Sequence, residues 1–349
     1  MKDCGLFALL AEKQEVRTVK QTMLFRPYVG FDGNGRKEEK MKLISVVVPC
    51  FNEREVLPAM YAELENVRKR DFDGVAEFEY IFADDGSSDG TTEYIKELRK
   101  TDKKVRFVSF SRNFGKEAAI LAGLRAAKGD LVTVMDADLQ DPPSLLKTMF
   151  DAVEKEGYEQ VGTRRVTRKG EPPVRSFCAR TFYKMINSCA DFEMTDGARD
   201  YRLMTRKVVD AILSLPEKCR YSKGIFSYVG FKTKWIPYEN IERAAGKTKW
   251  SFCKLFRYAV DGMVAFSDIL LRLSALVCVL FFIAFLTFAV LAVVLKSSVF
   301  AIVSVGFLIG GSVLLCQSAN GKYIEQISRE VRQRPVYIVA ETEKDGETQ

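Results

Sequence analysis

From residue 43 to about residue 163, short apolar, β-branched runs alternate with stretches of helical spacing, and nothing else in this 349-residue chain limits its fold so tightly. Residues 44–49, 79–83, 105–110, 131–135 and 158–163 read as strands; 54–70, 91–99, 116–127 and 143–155 read as the helices between them. Strands of about five residues, apolar on both faces and separated by helices, build βαβ units and a mostly parallel sheet covered on both sides. Past residue 163 the regularity weakens. A basic stretch at 164–180 leads into a helical segment to about 189, and 201–204 and 232–237 are expected late strands.

The last third has a different character. In 250–266 apolar residues recur at helical spacing with Lys254, Arg257 and Asp261 opposite, the pattern of a helix lying on a membrane surface. Residues 273–295 then carry no charge, beyond the roughly 20 residues that cross a bilayer, and 299–316 form a second apolar run of about 18. These predict a two-helix transmembrane hairpin. Arg257, Arg272, Lys322, Arg329, Arg332 and Arg334 flank it, against Lys296 alone in the turn, so the positive-inside rule predicts a multi-pass membrane protein with the globular domain and both termini cytoplasmic. The expected domains are a poorly ordered leader (1–40, with Met41 a candidate start), a globular domain (41–249), amphipathic juxtamembrane helices (250–268), two transmembrane helices (269–318) and a cytoplasmic tail (319–349). The apolar run at 5–11 is too short for a signal-peptide core.

Composition excludes several chemistries. With no histidine there is no Ser-His-Asp or Cys-His site and no imidazole base. The eight cysteines are scattered without a C-x-x-C pair, which argues against a zinc site or a disulfide framework. A net charge of +7 is mild and points at most to anionic partners; no nucleic acid is expected.

In an open α/β sheet, ligands bind beyond the carboxyl ends of the strands. The first strand ends in Pro49-Cys50-Phe51-Asn52-Glu53, with no dinucleotide G-x-G-x-x-G; Gly246-Lys247-Thr248 lacks the rest of a P-loop. The second ends in Asp84-Asp85-Gly86-Ser87-Ser88-Asp89-Gly90-Thr91, where a turn and helix cap account for Ser88 or Asp89 but not for two adjacent carboxylates. The fourth ends in Asp136-Ala137-Asp138-Leu139-Gln140-Asp141. Carboxylates at i and i+2 of an extended segment point the same way and suit Mg2+ or Mn2+, which would in turn hold a diphosphate.

These motifs, VVVPCFNE (46–53), DDGSSDGT (84–91), SRNFGKEAAILAGL (111–124), DADLQDPP (136–143) and RDYRLM (199–204), with GKYIEQISREVRQRPVYIV (321–339) at the end, resemble family 2 glycosyltransferases. The branch resembled is the polyprenyl-phosphate one, with dolichyl-phosphate mannose synthases and bactoprenol glucosyltransferases. The resemblance implies an α/β fold of GT-A type: a Rossmann-like, mostly parallel sheet with helices on both faces, followed here by the amphipathic helices and hairpin. It implies that Pro49, Phe51, Glu53 and Asp84 bind the nucleotide, and that Asp136, Ala137 and Gln140 lie at the nucleotide-sugar. Asp136, Asp138 and Gln140 would hold the metal. Arg164 and Arg175 would face the acceptor phosphate, Arg243 and Lys249 would close over the diphosphate, and Asp200 would be the acidic residue at the reacting centre, with Asp138 and Arg164 also in the catalytic set. The implied function is an inverting transfer of one sugar from a nucleotide-sugar, UDP-glucose or a relative, to polyprenyl (undecaprenyl) phosphate for cell-envelope glycan modification, by a homo-oligomer (a tetramer by resemblance) of the bacterial inner membrane with its catalytic domain cytoplasmic. The alternatives are a processive polysaccharide synthase, whose Gln-x-x-Arg-Trp element has only Gln326-Ile327-Ser328-Arg329 followed by Glu330 as a partial match, and a catalytically silent membrane scaffold.

Overall fold

The computed structural model describes residues 41–166, 180–239 apart from 182, 189 and 191, 260–295 apart from 268, and 298–345. The leader at 1–40, the part of the basic stretch that holds Arg175, and the segment that holds Arg243 and Lys249 lie outside the described residues, as does most of the expected amphipathic helix, whose 260–266 portion is helical.

The predicted alternation is realised. β1 (Lys42–Cys50), α1 (Leu57–Asp71), β2 (Ala76–Asp84), α2 (Thr91–Thr101), β3 (Val105–Phe110), α3 (Lys116–Ala126), β4 (Leu131–Val134), α4 (Leu145–Glu156) and β5 (Gln160–Arg165) follow one another along the chain. Then come β6 (Ala198–Thr205), α5 (Arg206–Ser214), α6 (Ser222–Tyr228), β7 (Thr233–Tyr238), two long helices α7 (Ile269–Leu295) and α8 (Ser298–Val331), and β8 (Val339–Thr342). They build one mixed sheet of eight strands, ordered β7-β5-β6-β4-β1-β2-β3-β8. β3, β2, β1 and β4 run parallel, whereas β6 is antiparallel to both β4 and β5.

Burial follows the alternation of side chains along a strand. Val46 and Val48 of β1 enter one core with Leu57, Met60 and Leu64 of α1 and Leu146 and Met149 of α4. Val47 enters the opposite core with Ile120 and Leu124 of α3 and Val208 and Ile212 of α5. Both faces of the central strands are thus covered, which is why they read as continuous apolar runs. Helix α3 lies so close to β1 that a Cβ at Gly123 would stand 2.2 Å from Cγ1 of Val47. The helix is thereby fixed against the strand, and its first residue, Lys116, is fixed with it.

The C-terminal part corrects the sequence reading. α7 and α8 pack against each other as a hairpin, with Leu276, Phe282, Val290, Ile302 and Leu314 exposed. Among the described residues, however, no helix is long and apolar enough to cross a membrane. This overturns the multi-pass inner-membrane placement. α8 does not stop where its apolar run stops but continues to Val331 as a polar helix, and that half docks onto the globular part. Lys322 binds Asp261 (3.0 Å) and Glu325 (3.0 Å), Tyr323 donates to the Ser267 carbonyl (2.9 Å), and Glu330 accepts the backbone N–H groups of Lys218 (2.9 Å) and Cys219 (3.0 Å). Lys322 and Arg329, counted from the sequence as flanking charges, are engaged in ion pairs with Asp261 and Glu325.

The tail returns to the sheet. β8 pairs antiparallel with β3, Tyr337 stacks on Phe110 at 4.8 Å between ring centroids, and Ser111 N–H donates to the Ile338 carbonyl (3.0 Å). Glu343 binds Arg106 (2.9 Å), and Glu341 pairs with Lys96. What reads in sequence as an appendage is the eighth strand, and it covers an otherwise open edge.

Candidate active site

The parallel order β3-β2-β1-β4 places a topological switch between β1 and β4, where connections leave in opposite directions and a crevice opens beyond the strand ends. The loops that meet there are those following β1, β2, β3 and β4.

The first two are zipped together. Asn52, at φ 53°, accepts Ser88 N–H on its side-chain oxygen (2.9 Å), and its own N–H donates to the Ser87 hydroxyl (2.9 Å). Glu53 N–H donates to the Thr91 hydroxyl (3.0 Å), and Arg54 N–H to Asp89 (3.2 Å). Asp84 is fully buried and accepts from four groups: Ser87 N–H (3.2 Å) and the hydroxyls of Ser87 (2.5 Å), Thr92 (2.5 Å) and Ser109 (2.9 Å). Asp85 ties in the third loop by accepting Phe114 N–H (2.6 Å) and Gly115 N–H (2.9 Å). Burial pushes Asp85 up to about 6, although those N–H groups favour its charged form. Gly86 sits at φ +69° with the Arg112 backbone 2.5 Å from where a Cβ would be, so the close approach of the two loops requires glycine.

The fourth loop faces a different set of partners. β4 and β6 are antiparallel with Val134 opposite Arg202, so continuing that register two residues further brings Asp136 opposite Asp200. Between them lies Lys116. Its Nζ is 2.7 Å from Asp136 Oδ1, 2.9 Å from Asp136 Oδ2 and 2.5 Å from Asp200 Oδ2. Asp200 Oδ1 is buried without a hydrogen-bond partner. Burial alone would raise the Asp200 pKa, but the Lys116 ammonium, with Lys223 and Arg202 further off, holds it well below the usual carboxylate range. Burial likewise opposes the charge on Lys116, and Asp136 and Asp200 together hold its pKa well above the ordinary lysine value. Arg202 lies beneath, stacked 3.7 Å over the Phe226 ring and donating to the Arg199 carbonyl (2.8 Å); burial pushes it down to about 10, with Asp200 opposing. Arg199 binds Asp141 (3.0 Å), which Tyr238 also hydrogen-bonds, so the loop after β4 is anchored to β6 and β7.

Of the residues singled out from sequence, the structure brings Asp136 and Asp200 together through Lys116. Asp138 lies two residues on and accepts Gln140 N–H (3.2 Å). Pro49 and Ala137 are buried, and Phe51, Glu53 and Gln140 are half-buried on the rim. Asp84 is enclosed below the loop it stabilises. Arg164 is exposed on β5, opposite Ala198 of β6, with Nε donating to the Asp196 carbonyl (3.0 Å). Lys116, Arg199 and Arg202 were not anticipated. A signal for Lys116 did exist. A lysine opening a helix sits against the positive end of the dipole, and such a breach of local preference calls for an anionic partner elsewhere.

Asp136 and Asp138 offer two carboxylates on one loop, and among the described residues no group of three or more His, Cys, Asp or Glu side chains could hold a metal ion. Two carboxylates without a protein cage fit Mg2+ or Mn2+ completed by water and substrate phosphate rather than a structural ion.

Fold and crevice define an α/β protein of the doubly wound class, its candidate site lined, among the described residues, by carboxylates and Lys116. Residues 45–213 match the model of Glycosyl transferase family 2. CsbB of Bacillus subtilis (strain 168), named as a glycosyltransferase, is 40% identical over 310 residues, covering 86% of this chain and 92% of that one. The SfII prophage-derived bactoprenol glucosyl transferase of Shigella flexneri is 36% identical over 313 residues, covering 86% and 98%. Among solved structures, glucosyl-3-phosphoglycerate synthase from Mycobacterium tuberculosis, with Mn2+, UDP-glucose and phosphoglyceric acid, overlays 69% of this chain and 84% of its own at 20% identity and a TM-score of 0.46, too loosely to bear on substrate or metal. The chain belongs to glycosyl transferase family 2, in the branch that holds the bactoprenol glucosyl transferases.

Proposed function

We propose that this glycosyltransferase moves one sugar, with inversion, from a nucleotide-sugar, UDP-glucose or a close relative, to polyprenyl (undecaprenyl) phosphate. The observation that carries the reading is the Asp136–Lys116–Asp200 bridge at the lip of β4, where carboxylates and a lysine ammonium meet at the crevice beyond the strand ends. The names of the similar proteins support the lipid acceptor.

An acceptor phosphate is already anionic at neutral pH, its second pKa being about 6. One of its oxygens attacks the anomeric carbon, the bond from that carbon to the diphosphate oxygen breaks, and the nucleoside diphosphate leaves with the electron pair. No strong base is needed. Asp200, held ionised, orients the acceptor and the opening positive charge at the sugar ring. The Lys116 ammonium, on a flexible four-carbon stem at the same crevice, is assigned to the charge on the departing diphosphate. Asp136 and Asp138, with Gln140 beside them, would hold Mg2+ or Mn2+, which supplies further positive charge there. Pro49, Phe51 and Glu53 border the nucleotide, over a loop braced by Asp84. Arg164 and Arg175 are assigned to the acceptor phosphate, and Arg243 and Lys249 to the donor diphosphate. A tetramer remains part of the proposal, checked by light scattering.

The deciding experiment incubates the protein with undecaprenyl phosphate and a panel of nucleotide-sugars and reads the lipid by mass. A single added hexose supports the reading. A ladder of sugars would instead indicate a processive synthase, and no product with any donor a silent scaffold.

A further inference from the structure

We propose that Lys116 is a built-in stand-in for the divalent cation: without donor its ammonium closes the carboxylate site by bridging Asp136 and Asp200, and it is displaced when metal and diphosphate arrive. This rests on the metal-assisted transfer proposed above.

The geometry is that of a cation in a carboxylate site. Lys116 Nζ lies within hydrogen-bond distance of both oxygens of Asp136 (2.7 and 2.9 Å) and of one oxygen of Asp200 (2.5 Å), so every oxygen that Asp136 could lend to a metal is engaged. The lysine cannot satisfy the whole site. Asp200 Oδ1 stays buried and unpartnered, an acceptor that a single ammonium leaves unsatisfied. Lys116 also has a path out. Its side chain is 33% exposed, its four-carbon stem is flexible, and its backbone is fixed by the close packing of α3 on Val47, so the ammonium swings while the helix stays. The adjacent Glu117 does not compete for it, because its carboxylate accepts the Ser222 N–H (2.9 Å) and hydroxyl. A singly charged group that must yield to a doubly charged one before catalysis weakens metal binding to the donor-free chain without preventing it.

Mn2+ binding to the full chain without nucleotide, followed by electron paramagnetic resonance, tests this. Lys116→Met removes the competitor and is expected to tighten Mn2+ binding about tenfold, while Lys116→Arg, which keeps the charge, restores weak binding. Equal or weaker binding by the Met variant overturns the proposal. If that variant does not fold, the wild type decides. Amine acylation at Lys116, read by mass spectrometry, is expected to rise several-fold when Mn2+ alone is added to saturation, and unchanged reactivity at saturation overturns the proposal. Neither arm needs turnover, so a protein that transfers no sugar yet shows this exchange fails the functional reading and keeps this one.

Discussion

Two acidic loops lie side by side at the carboxyl end of this sheet, and they use their carboxylates in opposite ways. In the loop after β2, Asp84 and Asp85 accept only from hydroxyl and amide groups of the protein, and Asp84 has no exposed surface. In the loop after β4, Asp136 is held by an ammonium that also binds Asp200, and Asp200 keeps one buried oxygen without a partner. The first arrangement is closed, since Asp84 accepts four hydrogen bonds and Asp85 takes two backbone N–H groups, all from fixed donors. The second is incomplete: one ammonium bridges two carboxylates, and one buried oxygen is left without a donor. Adjacent carboxylates at a strand's lip look alike in sequence; their partners separate a brace from a candidate reaction site.

The largest effect that this contrast predicts is on turnover. Asp136→Asn and Asp138→Asn should lower sugar transfer by about a hundredfold or more while leaving the thermal midpoint nearly unchanged. Transfer measured in detergent with the midpoint read in parallel checks this, and metal-dependent transfer left intact in Asp138→Asn would remove that residue from the metal site. Asp84→Ala should do the reverse. Stranding four donors in a buried loop is expected to cost about 3 kcal/mol of stability in urea unfolding, and the activity lost should follow the fraction unfolded. If Asp84→Ala instead folds normally and fails only with nucleotide, the contrast between the loops breaks.

A smaller effect is expected at the support of the incomplete site. Gly123→Ala places a methyl against Val47 and should cost about 1–3 kcal/mol by overpacking, with a fall in transfer beyond what instability explains, because α3 carries Lys116. The smallest lies in the scaffold, away from both loops. Burial opposes the charge of Glu65, yet hydrogen bonds from Arg68 (2.8 Å) and Tyr80 (2.6 Å) hold its carboxyl down to about 2. A carboxylate lowered on folding stabilises the protein above its usual value of 4.5 and loses that contribution as pH falls towards 2. Glu65→Gln should therefore cost on the order of 1 kcal/mol at pH 7, with the gap to wild type closing through that acid range.

Much of the fold was legible because its signals are local. β1 to β5 and the helices between them announce themselves by period, and the crevice follows from parallel strands whose ends carry Pro49–Glu53, Asp84–Thr91 and Asp136–Pro143. The antiparallel β6 was seen only as a short run at 201–204, since a strand that pairs through distant partners leaves little trace in its own spacing. β8 left none: Val339–Thr342 is exposed along most of its length and takes its place from pairing with β3. The hairpin was misjudged because hydropathy stops at the end of an apolar run, whereas α8 continues through Lys322, Glu325 and Glu330 to contacts with residues far away in sequence.

The sequence alone thus determined the alternating strands and helices, the acidic loops at their ends and the chemistries that lack of histidine excludes. These depend on residue type and near-neighbour spacing. Only the tertiary structure decided which carboxylates are braces and which form the incomplete site, and that Lys116 joins Asp136 to Asp200. A bridge among residues 116, 136 and 200 depends on strand register and helix packing, and electrostatic balance in a buried site is set by distance in space rather than along the chain.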